Sequence, residues 1–181
     1  SFVEIGTKIT NELLPILNDN VQEIRKIARN VIKKLGKKVV PNLVEILKNS
    51  ENRDLKKLAL NAFSELEKDG AEAIETIRPL IIEPGDLQYP AVFAIQKIGV
   101  EAAKKVVPEL MKTFEQSGDW MVRASAAQAL ATAGNDSFPA LSLLVKSLKN
   151  ERYGEVRMSI CKAIGNMGPL AKNAVPQLIL Q

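Results

Sequence analysis

Apolar residues recur along the chain in one repeated arrangement, an aliphatic position followed at offsets +4, +7, +8 and +11 by further apolar residues. The arrangement occurs five times, anchored at Ile24, Leu55, Leu87, Val122 and Val156. The successive spacings of 31, 32, 35 and 34 residues fall in the period range that marks a solenoid. Offset +4 reads Ala28, Ala59, Ala91, Ala126 and Ile160; offset +8 reads Ile32, Phe63, Ile95, Leu130 and Ile164. Positions 0, 4, 7, 8 and 11 trace one face of a 3.6-residue helix, so each repeat holds an amphipathic helix with a buried stripe. This is the second helix of a pair.

The first helices are predicted at Ile9 to Leu17, Val39 to Leu47, Ile74 to Ile82, Val106 to Phe114 and Ala140 to Leu148, with a sixth starting near Ala174. Pro41, Pro108 and Pro176 stand near the starts of three of them, where first-turn amides lack helical partners and proline costs little. Gly36, Gly70, Gly99, Gly134 and Gly168 follow the second helices and are expected to end them in a left-handed conformation. Pro79, Pro84, Gly85 and Pro90 crowd the middle repeat. Pro79 is expected to kink its helix, and Pro90 to delay or distort the start of the second helix there. Both termini fall inside the repeat, which reads as a piece of a longer array with sticky ends.

Composition narrows the chemistry. The chain has 181 residues, a net charge of +4, one cysteine (Cys161) and no histidine. Imidazole general bases, histidine-liganded zinc and Ser-His or Cys-His nucleophile pairs are therefore excluded, as are disulfide frameworks and CxxC motifs. No phosphate loop, dinucleotide fingerprint or metal-spaced carboxylate set is present. The sequence points to a non-enzymatic protein with no catalytic residues, metal or cofactor. Charged and amide residues interrupt every apolar run, so no membrane span is expected. The lone thiol fits a reducing compartment, which favours a cytoplasmic location. Cys161 aligns with Leu60, Val92 and Ala127 and reads as a packing residue. Asp54, Asp86 and Glu155 precede the anchors as capping or first-turn acids do.

The segments Glu23-Ile24-Arg25-Lys26-Ile27-Ala28, Met121-Val122-Arg123-Ala124-Ser125-Ala126-Ala127 and Glu155-Val156-Arg157 resemble HEAT repeats. More narrowly, Asp119-Trp120-Met121-Val122-Arg123 with Ala126-Ala127-Gln128-Ala129-Leu130 and Gly134 is similar to the short HEAT-like type first associated with phycobilisome lyases. The resemblance covers nearly the whole chain. It implies an all-α superhelix of about five antiparallel helix pairs with partial repeats at both ends, one solenoid over residues 1–181. Second helices would line its concave surface, and the general role would be binding other macromolecules. Lys56 and Gln88 depart from the arginine that follows the anchor elsewhere, so the internal polar ladder is in question there.

In that geometry, offsets +2, +6 and +9 face the concave side. Offset +2 holds Lys26, Lys57, Tyr89, Ala124 and Met158; offset +6 holds Asn30, Asn61, Phe93, Gln128 and Lys162; offset +9 holds Lys33, Ser64, Gln96, Ala131 and Gly165. Tyr89 and Phe93, four residues apart on this stripe, are the type of exposed aromatic that interfaces use, unless the Pro90 distortion buries them. The expected partner site for a protein or peptide comprises Lys26, Asn30, Lys33, Lys57, Asn61, Tyr89, Phe93, Gln128, Met158 and Lys162. Nucleic-acid backbone binding is the alternative, through Arg25, Lys26, Arg29, Lys33, Lys34, Lys37 and Lys57, a basic run with no acid before Glu45 apart from the downstream Lys57. A chromophore-lyase subunit is a third reading that rests on the resemblance. Trp120 reads as inter-repeat packing, and with Asp119 it makes only a poor imitation of a base-handling site. The chain is expected to be a monomer or to associate end to end.

Overall fold

A computed structural model describes residues 12–172, and these form paired antiparallel α-helices with no strand among them. The helices are α1 (Gln22–Leu35), α2 (Val40–Asn49), α3 (Arg53–Leu66), α4 (Ile74–Ile82), α5 (Gln88–Ile98), α6 (Val100–Lys105), α7 (Val107–Gln116), α8 (Trp120–Ala133), α9 (Leu141–Asn150) and α10 (Gly154–Asn166). Short 3-10 turns at Pro15–Asn18, Gly36–Val39, Glu67–Ala73 and Gly134–Ala140 complete the connections. The architecture is a HEAT-like α-solenoid. Second helices α1, α3, α5, α8 and α10 stack in sequence, and α2, α4, α7 and α9 each pack on the second helix that follows.

The predicted first helices match the structure closely. Ile74–Ile82 has the predicted bounds, and those predicted at Val39, Val106 and Ala140 begin within a residue of the prediction, with Pro41 and Pro108 in the first turns of two of them. The sixth first helix near Ala174 and the first three residues of the one predicted at Ile9 to Leu17 lie outside the described residues; the described remainder of the latter ends in the 3-10 turn Pro15–Asn18 rather than in a regular α-helix. α1, α3, α8 and α10 start two residues before their anchors. α5 starts at Gln88, one residue after its anchor Leu87, as the position of Pro90 demands. Proline in this first turn removes no helical bond, and the Ala91 amide donates to the Leu87 carbonyl to begin the ladder.

The core is one continuous cluster running the length of the stack. Ala28, Ala59, Ala91, Ala126 and Ile160, all at offset +4, are each at most 1% exposed, and the four alanines let neighbouring helices approach. Phe63, Ile95 and Leu130 fill the next layer and are fully buried. Burying such a side chain stabilises by about 1.5–3 kcal/mol relative to exposure. The anchor Ile24 departs from the expected pattern at 39% exposed, since no earlier helix pair covers α1 among the described residues. Cys161 is exposed rather than packed. Its counterparts Leu60, Val92 and Ala127 are buried by the following second helix, and α10 has none after it among the described residues.

Two polar expectations also change. Gly70 does not end α3; Glu67 does, with φ 51°, matching Gly36, Gly99, Gly134 and Gly168, which all have positive φ. Gly70 instead lies buried against Phe63 and Ile98. Asp86 caps no helix: α5 begins too late, and the carboxylate accepts from Arg53 Nη2 at 2.6 Å and pairs with Lys57 Nζ at 2.6 Å. These cations hold Asp86 at a pKa of about 2, below its ordinary 3.8.

Candidate second-helix binding face

The loops before the second helices are held by the arginine one residue past the anchor. Arg25 Nη1 donates to the Asp19 carbonyl at 2.6 Å, Arg123 Nη1 to Ser117 at 3.0 Å and Arg157 Nη1 to Glu151 at 3.1 Å, each six residues back. At Gln88 the link survives in altered form, with Nε2 donating to the Ile81 carbonyl at 3.0 Å. That carbonyl also accepts from Thr113 Oγ1 at 2.8 Å, so a last-turn acceptor of α4 is satisfied from two helices.

Arg123 has a second task. Its Nε and Nη2 donate to the two Glu151 oxygens at 2.9 and 3.1 Å. Glu151 in turn accepts the Tyr153 amide at 3.0 Å. The guanidinium, with the Tyr153 amide assisting, holds the Glu151 carboxyl below its ordinary pKa of 4.5. This clamp fixes Tyr153, whose ring stacks on Trp120 with centroids 5.5 Å apart and planes 11° apart. The Arg123 guanidinium carbon lies 5.7 Å from the Tyr153 ring centroid. A hollow of about 400 Å³ opens beside the clamp along the loop edge, lined by Phe114, Leu143, Lys146, Arg152 and others. Arg123 and Glu151 also border it, but they bind each other.

Across the second helices lies a different hollow, of about 370 Å³, bordered by Tyr89 and Phe93 of α5, by Trp120, Met121, Ala124, Ser125 and Gln128 of α8, and by Glu155 of α10. Tyr89 is 41% exposed, and Phe93 is half-buried with its ring stacked 6.0 Å from Tyr89. The proline distortion therefore leaves the pair accessible. A smaller hollow of about 150 Å³ adjoins it on the preceding second helices, formed by Arg29 of α1 and Asn61, Ser64 and Glu65 of α3 with the end of the Pro15–Asn18 turn. Phe93 borders both hollows, which joins them into one line running from α1 to α10.

A ladder of amides and a hydroxyl runs along this line. Gln96 Nε2 donates to Gln128 Oε1 at 3.2 Å, Gln128 Nε2 donates to Ser159 Oγ at 3.2 Å, and Ser159 Oγ donates to the Glu155 carbonyl at 2.8 Å. The rungs sit at offsets +9, +6 and +3. The ladder thus drops about one helical turn per repeat. Ser125 Oγ is buried in the wall of the larger hollow with no hydrogen-bond partner.

The structure brings Asn61, Tyr89, Phe93 and Gln128 together on this line. Lys26, Asn30 and Lys33 lie exposed toward its α1 end, and Met158 and Lys162 are exposed on α10. Three positions of the predicted stripe, Ser64, Ala124 and Ala131, are buried at 8% or less, because neighbouring helices close over their small side chains. α8 is buried around most of its circumference and is less amphipathic than the pattern predicts. Tyr153, Ser125, Ser159 and Glu155 enter as new participants. The spacing of 33 residues between Trp120 and Tyr153 was a sequence signal for the first of these.

The basic run is partly neutralised in three dimensions. Arg29 and Lys33 each approach Glu65 at 3.5 Å, Lys33 also meets Glu67 at 3.5 Å, and Lys57 pairs with Asp54 and Asp86. Arg25 serves its loop carbonyl. Lys26, Lys34 and Lys37 are exposed. Among the described residues no group of three or more Cys, Asp or Glu side chains is arranged to hold a metal ion, and no helix is long and apolar enough to cross a membrane.

Residues 83–165 match the family model of HEAT repeats, a range that spans α5 to α10 and includes the residues of the larger hollow. No curated protein matches the chain. Among solved structures, the chain is similar to a Northeast Structural Genomics Consortium target described as the crystal structure of an engineered protein. That likeness has a TM-score of 0.65 at 20% identity and covers 93% of this chain and 86% of the other. At this identity it speaks for the fold alone, a helical-repeat architecture.

Proposed function

We propose that the chain is a non-enzymatic interaction scaffold that binds an extended segment of a protein partner along its second-helix face. The observation that carries this reading is the joined line of hollows: two concavities share Phe93 and are walled by side chains from five successive second helices. Their aromatic and amide lining is of the kind that supplies both contact area and hydrogen bonds at interfaces. Solenoids present extended surfaces of this sort for elongated ligands. The short HEAT-like subtype fits the Asp119 to Gly134 segment, and the exposed thiol of Cys161 suits a reducing compartment.

Nucleic-acid binding has weaker support, because Arg29, Lys33 and Lys57 spend charge on Glu65, Glu67, Asp54 and Asp86. Counterion release needs cations available to phosphates. A phage-displayed library of random peptides selected on the wild-type chain tests the protein reading. Enriched peptides are expected to lose binding about ten-fold or more to Tyr89→Ala with Phe93→Ala, the loss of two interface aromatics. Circular dichroism checks that the double variant keeps its helices. Binding unchanged in a folded double variant overturns the assignment of the face.

A further inference from the structure

We infer that the hollow between α5, α8 and α10 is a recognition pocket for an arginine side chain of the bound partner, a refinement that rests on the second-helix reading above. The pocket's chemistry is asymmetric within a basic protein. The chain carries a net charge of +4, yet Glu155 is the one formally charged residue among those bordering the hollow. Tyr89, Phe93 and Trp120 supply three aromatic rings beside it. Ring faces are negative ends of a quadrupole and attract cations lying within about 6 Å of their centroids. Rings of this fold already hold cations in this way: Lys97 Nζ lies 5.2 Å from the Phe93 centroid, and Arg123 Cζ lies 5.7 Å from that of Tyr153. Trp120 gives one face to Tyr153 and still borders the hollow, and Tyr89 is 41% exposed.

A second, independent feature is an unmatched hydroxyl. Ser125 is 4% exposed, and its Oγ is a buried polar atom without a hydrogen-bond partner, in the wall of this hollow. A buried hydroxyl left unmatched costs about 1–3 kcal/mol, and a ligand that donates to it recovers that penalty. Gln128, by contrast, already has its amide oxygen bonded to Gln96 and its amide nitrogen to Ser159. An occupant that is cationic, flat enough to lie against rings, and able to donate to both Glu155 and Ser125 matches this lining. A guanidinium meets all three requirements. It is planar, carries five N–H donors and is more weakly hydrated than an ammonium, so it loses less than lysine on entering an aromatic site.

Trp120 is the chain's single tryptophan and borders this pocket, so its fluorescence reports on it. The probe is a capped pentapeptide with a central arginine between glycine and serine residues, compared with peptides carrying lysine, citrulline or glutamate at that position. The arginine peptide is expected to change Trp120 emission saturably. Citrulline, isosteric but neutral, is expected to bind about ten-fold more weakly, and lysine to fall between them. Glu155→Gln, at an exposed position, is expected to remove most of the preference for arginine over citrulline. An absence of saturable change with the arginine peptide, an equal response to citrulline, an equal response to lysine, or an unaltered preference in Glu155→Gln overturns the inference. Those results leave the library selection untouched: peptides that depend on Tyr89 and Phe93 yet show no arginine requirement sink the pocket and spare the face.

Discussion

Glu67 holds a backbone conformation that suits glycine. Its φ of 51° and ψ of −131° nearly reproduce Gly36 at 54° and −138° and Gly134 at 61° and −129°. For a residue with a Cβ such a conformation costs about 1–3 kcal/mol, and glycine relieves it at the cost of a looser unfolded chain. The Lys33–Glu67 pair lost with it is half-exposed and contributes little. Glu67→Gly is expected to stabilise the chain by about 1 kcal/mol in urea melts. Gly70→Ala is expected to do the opposite by about 1–2 kcal/mol, since an added Cβ would stand 3.2 Å from Phe63 and 3.3 Å from Ile98. Equal effects would show that the two positions do not have these separate roles. The sequence shows a glycine near the end of every second helix, and in this repeat it misleads: Gly70 sits three residues past the stop, where contact with Ile98 of α5 demands it. Only the register of offset +12, which reads Gly36, Glu67, Gly99, Gly134 and Gly168, separates the two roles.

Between elements, the loop clamps do the aligning. The arginine that follows the anchor was legible as a family feature, and the structure gives its cause: it satisfies loop carbonyls at a fixed distance of six residues in three repeats. Gln88 keeps an altered version of the link, seven residues back, so what distinguishes the middle repeat is the α5 start rather than the loss of the link. At Arg123 the clamp extends to Glu151, with side chains only 17% and 8% exposed. A carboxyl whose folded pKa lies below its unfolded value adds stability above the unfolded value, and that stability disappears as pH falls through the folded one. Glu151→Gln is therefore expected to destabilise at pH 7, with a difference from wild type that narrows at pH 3, below the ordinary 4.5. Urea melts at both pH values measure it, and a difference independent of pH would show that the charge of Glu151 does not matter. Helix existence and the proline-delayed start of α5 were readable because periodicity and proline act locally. The clamp partners were not, since Glu151 and Arg123 are 28 residues apart and belong to different repeats.

For the whole molecule, the solenoid and its stacking order follow from a repeat that each pair must bury against the next. Equal offsets located Asn61, Tyr89, Phe93 and Gln128, but they also nominated the buried Ser64, Ala124 and Ala131. The structure shows why: the line of hollows and the Gln96–Gln128–Ser159 ladder cross the repeats diagonally, so residues that meet do not share an offset. A search along that diagonal would have reached Ser159. The aromatic pocket was half legible, because Tyr89 and Phe93 stood out by exposure on a single helix while Trp120, Ser125 and Glu155 join them only through packing of α8 and α10. The claim on which the rest depends is that a partner occupies the second-helix face. The most direct measurement is backbone amide NMR of the chain titrated with a library-selected peptide. Shift changes are expected to track a line through Asn61, Phe93, Gln128 and Ser159 and to leave α2, α4, α7 and α9 unmoved. Changes confined to those first helices would contradict the account.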